Sequence, residues 1–241
     1  MIRDGYLFST IVVAVAGLAV CLSGCGSREP VFNPVSHASL VITVPEAVIY
    51  VDPVGKPESY KAFPPPDLIL ITHTHSDHLD PAAIAAVRGE GTAIVGSQAA
   101  VDQLKSGQAL ANGQSLKVKD LTIEAVPAYN TTKERLQFHP KGAGNGYVIT
   151  AGGKRIYISG DTEDVPEMRA LRNIDYAFLC MNLPYTMTVE QAAAATLEMK
   201  PGVVIPYHYR AGAGAEKTDL DKFKRLVAAN PKIEVRLLKW Y

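Results

Sequence analysis

The chain reads as a single layered α/β domain, on three observations. Short apolar runs suited to strands alternate with helical segments opened by capping residues, and no segment repeats. The length, 241 residues, fills one core but is too short for two full domains. The densest chemistry, Thr72-His73-Thr74-His75-Ser76-Asp77-His78, lies where an apolar run meets a helix start. Strand ends of this kind are where α/β folds place ligands. Composition is that of a folded globule, 47% hydrophobic and 20% charged, which excludes disorder. A net charge of +0 and a pI near 7.0 argue against a nucleic-acid partner.

Residues 1–24 form a targeting segment outside the fold. Arg3 supplies a short charged start, and Ile11 to Val20 an apolar stretch. Leu22-Ser23-Gly24-Cys25 ends that stretch with small residues and resembles the bacterial lipobox, whose cysteine becomes the lipidated first residue. The expectation is a lipoprotein signal peptide over 1–24, lipidation at Cys25, a tether over 25–36 and a globular domain over 37–241. Such a protein is held to a membrane of the bacterial cell envelope by its lipid. Of the three cysteines, only Cys180 lies far inside the chain, so no disulfide framework is available. Its apolar neighbours, Ile174 to Met181, make it a small buried hydrophobe.

His37 opens the domain and is expected to be structural. Leu40–Val44 and Ala47–Val51 read as strands around Pro45-Glu46, and Pro64-Pro65-Pro66 precede the buried strand Leu68–Ile71. Asp80 offers an N-cap and Pro81 a first helical position for a helix to Arg88. A strand at Thr92–Val95 follows, and Ser97 caps a helix over Gln98–Leu104. Leu116–Val118 and Leu121–Val126 alternate as half-buried strands, leading to Pro127-Ala128-Tyr129-Asn130 and a polar loop, Thr131 to Asn145. The glycine-bearing run Lys141–Gly146 precedes a strand rather than a helix, which rules out a phosphate loop. A hairpin, Tyr147–Thr150 with Arg155–Ser159, delivers Asp161 at its end. Thr188 and Gln191 form a capping box for a helix to Met199, and strand Val203–Pro206 delivers His208. A helix from Thr218–Asp221 to Asn230 and a strand at Ile233–Leu237 close the chain.

Three of the six histidines fall inside the central motif, with an acid between them. His73 and His75, two apart in extended chain, point the same way and can grip one ion. Asp77 and His78 lie on the turn into the helix and can face a second. Zinc accepts both imidazole nitrogen and carboxylate oxygen, and hydrolytic sites often hold two ions about 3.5–4 Å apart. Asp161 and His208 each sit at the end of an apolar strand, where further ligands are needed.

His73-x-His75-x-Asp77-His78, Gly160-Asp161-Thr162 and Pro206-Tyr207-His208, in that order, resemble the signature of the metallo-β-lactamase superfamily. The branch that contains ascorbate-phosphate lactonase is the most similar. The resemblance implies a four-layered αββα sandwich carrying two divalent ions, with zinc expected and manganese or iron as alternatives. It places His73 and His75 on one ion, Asp77, His78 and His208 on the other, and Asp161 between them. It also puts the Asp52-Pro53 step near the site. Asp77 and Asp161 are then the catalytic carboxylates: the ions lower the pKa of a bound water to near 7, and Asp77 orients it. Tyr129, Tyr185 and Tyr209 are candidate phenols at the substrate, and Asn130 is a further candidate substrate contact.

One position departs from the family. Most members supply a third histidine to the first ion at the place held here by Asn130, whose amide oxygen is a weak zinc ligand. His139, nine residues on, is expected to complete that shell. The alternative has His139 contacting substrate or solvent, with Asn130 or water in the shell. The implied function is metal-dependent hydrolysis of an ester, lactone, amide or phosphodiester in a small molecule. A lipid-anchored metal-binding protein without turnover is the alternative. An iron-dependent redox member ranks last, for want of a flavodoxin- or rubredoxin-like extension.

Overall fold

A computed structural model describes residues 1, 29–210 and 217–241. The expected targeting segment, apart from Met1, and Cys25 lie outside the described residues. Among those described, no helix is long and apolar enough to cross a membrane.

Two mixed sheets stack face to face. The first runs β1 (Val31–Ser36), β2 (Ser39–Val44), β3 (Ala47–Val51), β4 (Leu68–Ile71), β5 (Ala93–Gly96) and β6 (Gln108–Ala109), side by side in chain order. The second holds β7 (Ser115–Val118), β8 (Leu121–Ala128), β9 (Gly144–Ala151), β10 (Lys154–Ile158), β11 (Tyr176–Met181), β12 (Val203–Tyr209) and β13 (Glu234–Val235), again as chain neighbours. Each sheet begins as an antiparallel meander and turns parallel, at β3–β4 in the first and β10–β11 in the second.

Strand β4 shows how the layers arise. All four of its side chains are buried. Leu68 and Leu70 join the core between the sheets, while Ile69 and Ile71 face the outer cluster under the helices. A period of two in an unbroken apolar run therefore feeds both faces, and each such side chain contributes about 1.5–3 kcal/mol. Helices α1 (Pro81–Val87) and α2 (Gln98–Leu104) cover the first sheet through Ile84 and Ala100. α3 (Pro166–Arg169), α4 (Val189–Met199) and α5 (Leu220–Val227) cover the second, with Ala192, Ala195, Phe223 and Val227 fully buried. The result is the αββα sandwich.

The caps act as expected. Asp80 accepts from the Ala82 and Ala83 amides, Ser97 from Ala100, and Thr188 with Gln191 forms the reciprocal box. Several boundaries differ: β9 starts at Gly144, inside the expected loop, β12 runs on through His208 to Tyr209, and two more lie at the ends of the domain. Residues 31–36, expected as part of a tether, form edge strand β1, paired with β2 from Val31↔Thr43 to Ser36↔Ser39. Phe32 explains the change, because its ring packs on Tyr176 and Phe178 and anchors the strand over the core. The closing strand, expected over Ile233–Leu237, shrinks to Glu234–Val235, which pair with Val203 and Val204 of β12.

Candidate metal centre

The site lies at one end of the sandwich, where both sheets deliver ligand atoms. The turn after β4 carries His73, His75, Asp77 and His78. From the second sheet come Asp161, just past β10, and His208 within β12. Two backbone devices aim the latter pair. Gly160 adopts φ +60°, and a Cβ there would lie 2.7 Å from the Asn145 carbonyl, so only glycine lets the chain turn Asp161 inward. The β11–β12 register passes from Cys180↔Tyr207 to Met181↔Tyr209, which leaves His208 as a bulge residue at φ +43°.

The donor atoms gather into two groups. In the first, His73 Nε2 lies 3.0 Å from His75 Nδ1, and the two rings pack against His139 at centroid distances of 5.1 and 5.0 Å. His139 Nε2 is 3.3 Å from Asp161 Oδ2. In the second, His78 Nε2 and His208 Nε2 are 3.0 Å apart and lie 3.4 and 3.3 Å from Asp161 Oδ1. Asp77 Oδ2 stands 3.8 and 3.7 Å from the same two nitrogens. Donors around a tetrahedral zinc, at about 2.0–2.1 Å from the ion, are about 3.3 Å apart. The observed separations suit that arrangement. Buried His139 Nε2 and Asp161 Oδ1 have no hydrogen-bond partner among the described residues, which is costly unless a cation is shared. The donor set therefore fits divalent metal.

Its electrostatics point the same way. Burial works against charge on His78, but the carboxylates of Asp161 and Asp52 outweigh it and hold its pKa up to about 9. Burial and the neighbouring His78 push His73 well down, and burial lowers His75 and His208. Burial would raise Asp161, yet His208 and His78 hold it well below the carboxylate range. Asp77 behaves alike: burial opposes ionisation, and the His37 contact and His78 more than reverse it. Neutral His73, His75 and His208 beside ionised carboxylates are in the form that binds metal, and His78 must first give up a proton.

A supporting layer fixes these ligands, and local sequence gave little sign of most of it. Asp52 is fully buried and accepts from the Thr72 amide at 2.8 Å, the Thr72 hydroxyl at 2.6 Å and His78 Nδ1 at 2.7 Å. Asn130, proposed for substrate or metal, instead braces the His139 loop. Its amide donates to the Tyr185 and Arg135 carbonyls and meets His139 Nδ1 at 3.3 Å, and its backbone N–H donates to the His139 carbonyl. Glu163 pins the same loop, accepting from the Thr131 and Thr132 amides and from Arg135, each at 2.6 Å.

The cavity over the centre has a volume of about 430 Å³ and is lined by Phe138, Tyr185, Tyr209, Arg210 and Tyr241, with the Asn182 amide. Tyr185 and Tyr209 thus stand where a substrate would. Tyr129 does not: its phenol donates to Glu167 and lies under the Lys141 ammonium, away from the cavity. Asn182, only 7% exposed, makes no side-chain hydrogen bond among the described residues. His37, expected to be structural only, reaches the cavity wall.

A sequence model for a beta-lactamase superfamily domain matches residues 33–208. The chain belongs to the metallo-β-lactamase superfamily. Within it, the chain is similar to the UPF0173 metal-dependent hydrolases: one from Pyrococcus abyssi is 31% identical over 190 residues, spanning 76% of this chain and 82% of the relative. Among solved structures, a protein from Parabacteroides distasonis assigned as a metal-dependent hydrolase aligns with a TM-score of 0.78 at 44% identity, over 86% of this chain and 92% of the other. Igni18, a metallo hydrolase from Ignicoccus hospitalis, aligns at 0.72 and 26% identity, over 86% and 94%. Metallo-β-lactamase family membership and the site together make this chain a metal-dependent hydrolase.

Proposed function

We propose that this hydrolase holds two divalent ions and cleaves an ester, lactone, amide or phosphodiester bond in a small organic molecule. One observation carries the reading. Seven side chains form two donor groups that meet at Asp161, whose Oδ2 faces one group and Oδ1 the other. His73, His75 and His139 would hold the first ion with Asp161. Asp77, His78 and His208 would hold the second with the other oxygen of Asp161. When bound, such ions supply a water of lowered pKa and a Lewis acid for the scissile oxygen.

The remaining residues shape what enters. Asp77, with its side chain 46% exposed, meets solvent and can accept a proton from an incoming water. Tyr185 and Tyr209 offer flat walls and hydroxyl donors to a bound substrate. The Asn182 amide, which makes no side-chain hydrogen bond among the described residues, would read a polar group on the substrate.

Elemental analysis after reconstitution with zinc, manganese or iron, joined to ester, lactone, amide and phosphodiester panels, tests the proposal. Two ions per chain and turnover of one class are expected. Asp161→Asn should lose more than about 100-fold in turnover, since losing a group that merely supports a ligand already costs 10–100-fold. A protein that takes up no metal on reconstitution refutes the reading.

A further inference from the structure

His37 lies in the two-residue turn between Ser36 and Ser39, far in sequence from the metal motif, with φ +54°. Its ring packs edge-on to His208 at a centroid distance of 4.1 Å, and Nε2 points at Asp77 Oδ2, 3.4 Å away. Donor atoms of His37, Asp77 and His208 all lie within 4.8 Å of one another. The other ring nitrogen, Nδ1, is 3.1 Å from the Tyr241 hydroxyl.

Hydrogen-bond bookkeeping then fixes the tautomer. The Tyr241 hydroxyl has one proton and lies 2.9 Å from the Tyr209 carbonyl, which can only accept. That proton is committed, so the phenol oxygen can only accept from His37, and Nδ1 is the nitrogen that carries hydrogen. In neutral His37 the lone pair is then on Nε2, facing a carboxylate oxygen. Two lone pairs at 3.4 Å repel unless a second proton or a metal cation lies between them. A ring with one N–H given to a fixed acceptor and its other nitrogen bare is the arrangement of a metal-ligating histidine.

We propose that His37 is a ligand of the second ion, oriented by Tyr241, and that this ion takes five protein donors: His37, Asp77, His78, His208 and Asp161. The inference rests on the dinuclear reading above and extends it. Five donors exceed the tetrahedral set of a structural zinc and suit a six-coordinate manganese or iron ion. The second site should therefore favour manganese or ferrous iron more than the first does.

The test compares wild type with His37→Asn, His37→Gly and Tyr241→Phe in the full chain. Asparagine and glycine both tolerate the positive φ of the turn, so the fold should survive. Metal-free protein is titrated with manganese, and separately with cobalt(II), against a competing chelator. Wild type should bind two equivalents. Both His37 variants should lose at least about 10-fold, and Tyr241→Phe about 10-fold, in affinity for the weaker equivalent alone. The visible absorption of cobalt in that site should strengthen severalfold in His37→Asn as its coordination number falls. Two equivalents bound with unchanged affinity and spectrum in both His37 variants overturn the assignment and leave the dinuclear reading standing. That result would make His37 a cationic partner of Asp77. Fewer than two equivalents in wild type overturns both.

Discussion

His78 is bound at both ends, by Asp52 on Nδ1 and by the site on Nε2, and that double hold has measurable consequences. With its pKa at about 9, the metal-free protein carries a His78 proton at neutral pH. Metal must displace it, so calorimetry at pH 7.5 in two buffers of different ionisation enthalpy should show proton release on loading. The sign for stability follows from a raised value. In the metal-free protein this contribution is complete below about pH 6.5 and is lost as pH climbs towards 9, so thermal unfolding should move to lower temperature across that interval. Asp52→Asn should cost about 10–100-fold in metal affinity, because an amide cannot accept from Thr72 twice and from His78 as well. The central motif was legible because its ligands are close in sequence and their spacing is itself the geometry. Asp52 was less so, since nothing local tells a buried carboxylate from a turn aspartate. His37 escaped for the opposite reason: its partners, Asp77, His208 and Tyr241, are all remote, and only packing joins them.

At the level of the element, the loop between β8 and β9 decides whether His139 is present at all. Ligand chemistry had singled out His139 because an amide at position 130 is a poor substitute, and the ring does lie beside His73 and His75. What the sequence did not reveal is the strut that puts it there. Glu163 is fully buried. Its burial opposes charge, but hydrogen bonds from Thr132 and Thr131 bring its pKa down to about 2. A depressed carboxylate stabilises the fold above about pH 4.5 and loses that effect only as pH falls towards 2, so the loop stays pinned under mild acid. Glu163→Gln would place an amide nitrogen or a weaker acceptor against two backbone N–H groups and Arg135. Unfolding by denaturant should report a loss of about 2–3 kcal/mol. The variant should also lose affinity for the first metal equivalent, with the second little changed. The strut was illegible because one glutamate after Asp161-Thr162 looks like any polar loop residue.

For the whole molecule, metal should act as a fastener between the sheets, since each donor group draws on both. Removing it with a chelator should lower the melting temperature, and restoring it should recover the loss at a metal concentration set by the dissociation constant. The αββα architecture is legible in strand–helix alternation joined to the motif, whereas the first edge strand is masked by Pro34 within it and Pro30 just before it and reads as a tether. Leu22-Ser23-Gly24-Cys25 leads us to expect that Cys25→Ala blocks both lipid labelling and processing in a bacterial host. Unaltered processing of that variant would argue for a different fate of residues 1–24.

Every strand of each sheet pairs only with strands adjacent in the chain, and this makes the polypeptide divisible. A cut in the short link between β6 and β7, near residues 110–114, severs no strand pairing. The amino-terminal piece would keep His37, His73, His75, Asp77 and His78, and the carboxy-terminal piece His139, Asp161 and His208. Neither piece could bind both ions alone, and each would expose the apolar face that the other covers. Expressed together, the two halves should reassemble as complementing fragments, with metal converting a weak association of two chains into a lasting one.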